Sequence, residues 1–142
     1  MKFLIALLLS LPLQTALQEN FWNVLAEVHF KQEKDGNGFG IERPVFSNNL
    51  KSFHGKRILL RGYIVPLQET GANAKFMLSA LSFNVCYFCG AAGPETVVEV
   101  ETPEKIKFTT KQITMEGTLF LNNADPDHHI YILKSASLRP LP

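Results

Sequence analysis

The fold of this protein is decided by the run RILLRGYIVP at positions 57–66. Its apolar, β-branched character predicts a strand, and Pro66 ends the ladder because proline has no backbone N–H to donate. Gly62 inside the run indicates a bulge or a sharp bend, which small barrels need at their corners. The run therefore predicts the strongly curved first strand of a small sheet.

Further strands follow this run along the chain. We expect them over residues 75–80, 96–101, 113–121 and 130–138, where apolar and polar side chains tend to alternate. The connection over residues 102–111 is too short for a good helix. Short strands with little helix predict an all-β fold, a small five-stranded OB-like barrel, with a β-sandwich as the alternative.

The residues that precede the barrel form an N-terminal extension. Residues 21–30 alternate loosely, which favours a half-buried strand over a short helix. A turn is expected over residues 35–40, which contain three glycines. Residues 44–53 predict a short turn or helix in front of the main sheet.

The first 18 residues are typical of a secretory signal peptide: Lys2, an apolar run over residues 3–13 and a more polar exit. The apolar run over residues 3–13 is too short to span a membrane, because a spanning helix needs about 20 apolar residues. No other segment of the chain is apolar enough to span one. We therefore expect a single β-barrel domain over residues 19–142, located in the periplasm or secreted. The 14 basic and 13 acidic residues are nearly balanced, so we expect no nucleic-acid partner.

Cys86 and Cys89 are the only two cysteines and are spaced as Cys-x-x-Cys. Such a pair can form a disulfide, exchange electrons or bind a soft metal ion. Export favours the disulfide or the metal over free thiols. A redox-active pair usually lies at a helix N-terminus, and residues 90–94 are a poor helix start. The sequence leaves the three uses open.

A zinc or copper site would need further ligands, and His128 is the best candidate, with Asp127 orienting its imidazole. At most one of His128 and His129 is expected to join a given site, because adjacent strand residues point to opposite faces. We expect an OB barrel to place the cysteine loop and the histidines at opposite ends. Glu95, Glu99 and Glu101 are expected to form a solvated face.

Several motifs resemble those of a family of small exported bacterial proteins of unknown function. The motifs are GKRILLRGYIVPL at 55–67, FML at 76–78, the cysteine loop from Cys86, GPET at 93–96 and DPDH at 125–128. The resemblance covers about Trp22 to Leu138. It implies an OB-like barrel and a connection with envelope transport or metal homeostasis. Many relatives have one cysteine followed by prolines, whereas this chain has two.

Taken together, these features predict an exported, non-catalytic accessory or binding protein. It would bind a metal or work beside an envelope transporter or another periplasmic protein. A periplasmic thiol-redox protein that uses Cys86 and Cys89 is one alternative. A structural interaction domain, in which a Cys86–Cys89 disulfide stabilises a loop, is the other.

Overall fold

The computed structural model describes residues 21–67, 72–85, 90 and 92–140. The predicted signal peptide and both cysteines lie outside the described residues. Within the described part of the chain, no helix is long and apolar enough to span a membrane. The elements, in chain order, are α1 (Phe21–Leu25), β1 (His29–Lys34), β2 (Gly40–Val45), α2 (Asn48–Ser52), β3 (Arg57–Pro66), β4 (Ala72–Ser79), β5 (Val97–Lys107), β6 (Ile113–Leu121) and β7 (Tyr131–Arg139).

Strands β3 to β7 close into a five-stranded barrel in the order β3-β4-β5-β7-β6. Neighbouring strands are antiparallel except β5 and β7, which are parallel. This order and the single parallel pair are those of an OB barrel. The predicted all-β, OB-like barrel is confirmed, and the β-sandwich alternative is wrong.

Strand β3 changes partner at Gly62. Residues 57–62 pair with β6, and residues 63–66 pair with β4. A Cβ atom at Gly62 would lie 2.4 Å from the backbone oxygen of Ser79, which no real Cβ contact tolerates. The glycine is therefore required where two neighbouring strands meet β3.

The N-terminal segment packs on the barrel core as a helix, so the predicted strand over residues 21–30 is wrong for its first half. Phe21, Leu25 and Val28 recur at helical spacing, and all three contact the core, with Leu25 fully buried. The Tyr131 hydroxyl donates to the backbone oxygen of Leu25 at 2.6 Å. The indole N–H of Trp22 donates to the backbone oxygen of Arg61 at 2.8 Å.

Strands β1 and β2 form a separate two-stranded hairpin. Its turn confirms the predicted one: Asp35 Oδ1 accepts the N–H groups of Asn37 and Phe39 at 2.9 and 2.8 Å. Gly38 has φ +85°, a conformation that favours glycine. The pattern in the sequence predicts this turn but not the hairpin on either side of it.

Because β5 and β7 run parallel, the segments that precede them lie at the same end of the barrel. Residues 80–96, which contain the cysteine pair, lead into β5, and residues 122–130, which contain the histidines, lead into β7. The starts of β5 and β7 therefore share one end of the barrel, in contrast to the expected opposite ends, while the cysteines themselves lie outside the described residues. The ring Nε2 of His129 lies 2.8 Å from the backbone oxygen of Pro94, which joins the two segments directly.

Candidate functional site

Glu99, on the outer wall of the barrel near the start of β5, is unexpectedly buried. Val98 and Val100 of β5 point into the core, so Glu99 and Glu101 point outward. Glu99 is nevertheless only 8% exposed. The expectation of a solvated face is wrong for Glu99, because the residues before β7 cover it.

Both carboxylate oxygens of Glu99 have partners in the covering segment. Oε1 lies 2.8 Å from Nδ1 of His128, and Oε2 accepts the backbone N–H of His129 at 3.0 Å. A buried carboxylate needs such partners to offset its lost hydration. The hydrogen bond with Glu99, and then the charge of Glu99, raises the pKa of His128.

The two histidines have different surroundings. Burial lowers the pKa of His129, and its ring is hydrogen-bonded to backbone groups of Pro94 and Val97. The His129 ring therefore fastens the segment before β5, whereas the His128 ring faces Glu99. The expectation that at most one of the two histidines joins a given metal site stays a prediction.

The geometry around Glu99 suits a metal ion. Donor atoms of Glu99, Glu101 and His128 all lie within 4.8 Å of one another. Two ligands of one zinc ion, each about 2.0–2.2 Å from it, lie at most about 4.4 Å apart. A small contraction of the side chains would therefore bring all three into bonding distance.

Lys75 forms an ion pair with one carboxylate of this cluster. The Lys75 ammonium lies 3.3 Å from Glu101 Oε1, and its side chain is 60% exposed. An exposed pair of this kind contributes little stability, about 0–1 kcal/mol. A cation bound between the carboxylates would displace Lys75 at small cost.

Solvent reaches His128 through a cleft of about 490 Å³. The cleft separates β2, at Ile41 to Pro44, from the turn that joins β6 and β7. His128 lines it, so a ligand can approach the imidazole from outside the barrel.

The predicted site residues are only partly brought together. His128 joins the cluster, while Asp127 is exposed and its N–H donates to Asp125 Oδ1 at 3.0 Å. The carboxylate that contacts the His128 ring belongs to Glu99. The metal-binding roles of Cys86, Cys89, His128 and Asp127 stay predictions.

Sequence reasoning missed Glu99 and Glu101 as candidate ligands. The signal was available in the alternation of glutamate with valine over residues 97–101. Alternation alone does not reveal which outward face another segment covers, so it did not separate Glu99 from an ordinary surface glutamate.

Comparison with known proteins gives little help with function. No protein-family model and no curated protein matches this chain. A solved structure from Pseudomonas aeruginosa, described as a DUF3299 family protein, is similar to it with 22% identity and a TM-score of 0.49. The match covers 65% of this chain and 66% of the other, so it spans just under two thirds of that neighbour. A likeness this weak transfers no function.

Proposed function

We propose that this is an exported, non-catalytic protein that binds a transition-metal ion, Zn²⁺ or Cu²⁺, at the end of the barrel where β5 and β7 begin. The observation that carries the proposal is the cluster of Glu99, Glu101 and His128, with donor atoms within 4.8 Å of one another. The protein would hold the ion as an accessory to an envelope transporter or another periplasmic protein.

The donor types support this choice of metal. Imidazole and carboxylate ligands suit zinc and copper, and three protein ligands leave a fourth position open. Cys86 and Cys89 belong to the segment that leads into β5, so a thiolate is the proposed fourth ligand. An ion bound by both Glu99 and His128 replaces the proton that they share, so its affinity should increase with pH.

Calorimetric titration with Zn²⁺ and with Cu²⁺ tests the proposal on protein purified without oxidant or chelator. We expect one ion per chain. Glu99→Gln, Glu101→Gln and His128→Ala should each weaken binding by about tenfold or more, equivalent to about 1.4 kcal/mol. Glu104→Gln is the matched control, because Glu104 lies on the same strand and is exposed. Lys75→Met should tighten binding by removing the competing cation.

Thiol counting on the same preparation separates the alternatives. If the Cys86→Ser variant and the Glu99→Gln variant each lose the metal, the thiolate and the carboxylate belong to one shared site. A disulfide that cycles under physiological reductants, with no bound metal, supports the thiol-redox alternative. An inert disulfide with no bound metal supports a purely structural role. A metal affinity that stays unchanged in Glu99→Gln, Glu101→Gln and His128→Ala would contradict the proposed site.

A further inference from the structure

A second cleft, separate from the glutamate–histidine cluster, lies beside the point where β3 changes partner. Its volume is about 340 Å³, within the range of about 300–1,000 Å³ that is usual for small-molecule sites. Three parts of the chain form it: β3, the segment after β4 and the connection from β5 to β6. Its lining residues are Tyr63, Ile64, Ser82, Asn84, Phe108, Thr109 and Thr110.

The lining combines aromatic rings with uncharged hydrogen-bonding groups. Phe108 is 46% exposed, although it is a large apolar residue. Thr109 Oγ1 accepts the N–H of Lys111 at 3.2 Å. Among the described residues, no protein group is hydrogen-bonded to the side chains of Tyr63, Ser82, Asn84 or Thr110. Several donors and acceptors are therefore available to a ligand next to an exposed ring.

The chemistry of this lining restricts the ligand. Among the described residues that line the cleft there is no lysine, arginine, aspartate or glutamate, so they offer no counter-charge to a phosphate, a carboxylate or an ammonium group. Hydroxyl and amide groups would be left unpaired against a purely apolar ligand, which costs free energy. A neutral ligand with many hydroxyls and some apolar faces satisfies both conditions.

We infer that this cleft binds an uncharged oligosaccharide. The C–H face of a sugar ring would pack on Phe108, while its hydroxyls would exchange hydrogen bonds with Ser82, Asn84 and Thr110. The described lining residues include no cation, which disfavours an oligonucleotide as the ligand. This inference does not depend on the metal site.

The test is a ¹H–¹⁵N NMR titration of the protein with two neutral probes, chitotetraose and cellotetraose, and with a hyaluronan tetrasaccharide as the anionic comparison. We expect a neutral probe to shift the amide signals of Tyr63, Ser82 and Thr109 with a Kd near or below about 1 mM, or about −4.1 kcal/mol. Phe108→Ala should weaken binding by about tenfold or more. Phe39→Ala removes an equally large ring that is 71% exposed on the hairpin, so it serves as the matched control.

Thr110→Val provides a second variant, since it keeps the side-chain shape and removes the hydroxyl. It should weaken binding by about threefold to tenfold, the range expected for one hydrogen bond. The inference is overturned if neither neutral probe shifts these signals. It is also overturned if Phe108→Ala binds as well as Phe39→Ala, or if the anionic probe binds more tightly than both neutral ones.

Discussion

At the scale of single residues, the burial of the Glu99 carboxylate is the most unusual feature. It lies on the outer wall of a barrel yet is 8% exposed, and its two oxygens bond to one ring and one backbone N–H of the covering segment. Burial of an unpaired carboxylate would be costly. The contacts with His128 and His129 therefore fix how the segment before β7 sits on β5.

The Glu99–His128 pair gives a testable pH dependence. Its hydrogen bond raises the pKa of His128 above the ordinary value of about 6.5. Because the folded-state pKa is raised, the stabilisation is fully present below the unfolded-state pKa and is lost as pH rises through the folded-state pKa. Glu99→Gln should lower the pKa of His128, as measured by NMR titration of its ring protons in metal-free protein.

Glu104→Gln is the control for this titration, since Glu104 lies on the same strand, is exposed and is not among the groups that shift the pKa of His128. It should leave the His128 titration close to that of the unaltered protein. Equal downward shifts in both variants would mean that general negative charge, rather than the bond to Glu99, sets the pKa of His128.

At the scale of elements, Gly62 allows β3 to serve two partners. Its α-carbon lies so close to β4 that an added Cβ would meet the Ser79 oxygen at 2.4 Å. We expect Gly62→Ala to lower the free energy of unfolding by about 1–3 kcal/mol, the usual cost of overpacking. Urea denaturation followed by circular dichroism measures this change.

Gly36→Ala is the matched glycine substitution for this experiment. A Cβ at Gly36 would meet nothing within 4 Å, and its φ is not positive. It should change stability by less than about 0.5 kcal/mol, as is usual for surface positions. If both alanine variants unfold at the same urea concentration, close packing at the partner change is not what requires Gly62.

At the scale of the whole molecule, the barrel and the hairpin differ in how they are buried. The barrel strands carry the core, whereas most residues of β1 and β2 are exposed. Arg43 Nη1 links the hairpin to the backbone oxygen of Asn123 at 3.3 Å. A region with few buried contacts opens more readily than a packed core.

Hydrogen exchange should reveal this difference. Amides of β1 and β2 are expected to exchange about a hundredfold faster or more than amides of β6, measured by NMR or mass spectrometry at one pH. Arg43→Ala should speed exchange in the hairpin and leave β6 unchanged. Hairpin protection equal to that of β6 would show that something else in solution covers the hairpin.

The sequence predicted the barrel well because its strands are marked by local signals. Alternation defines β6, Pro66 ends β3, and the turn at Asp35 uses side-chain hydrogen bonds within the turn itself. The prediction of a strand over residues 21–30 was wrong for its first half. In so short a segment, apolar residues at helical spacing are hard to distinguish from loose alternation. The end of β5 was also missed: it runs to Lys107 because pairing with β4 resumes after an irregularity between Asn73 and Lys75.

By itself, the sequence determined the all-β class, the number of barrel strands and His128 as a candidate ligand. Only the tertiary structure decided that Pro94, in the segment before β5, and His129, in the segment before β7, meet at one end of the barrel. It also decided that Glu99 is covered while Glu101 stays partly exposed. The physical reason is that the alternation of apolar and polar residues shows only which side of a strand is apolar. The parallel pairing of β5 with β7, and the segment that lies over an outer face, depend on contacts between residues far apart in the chain.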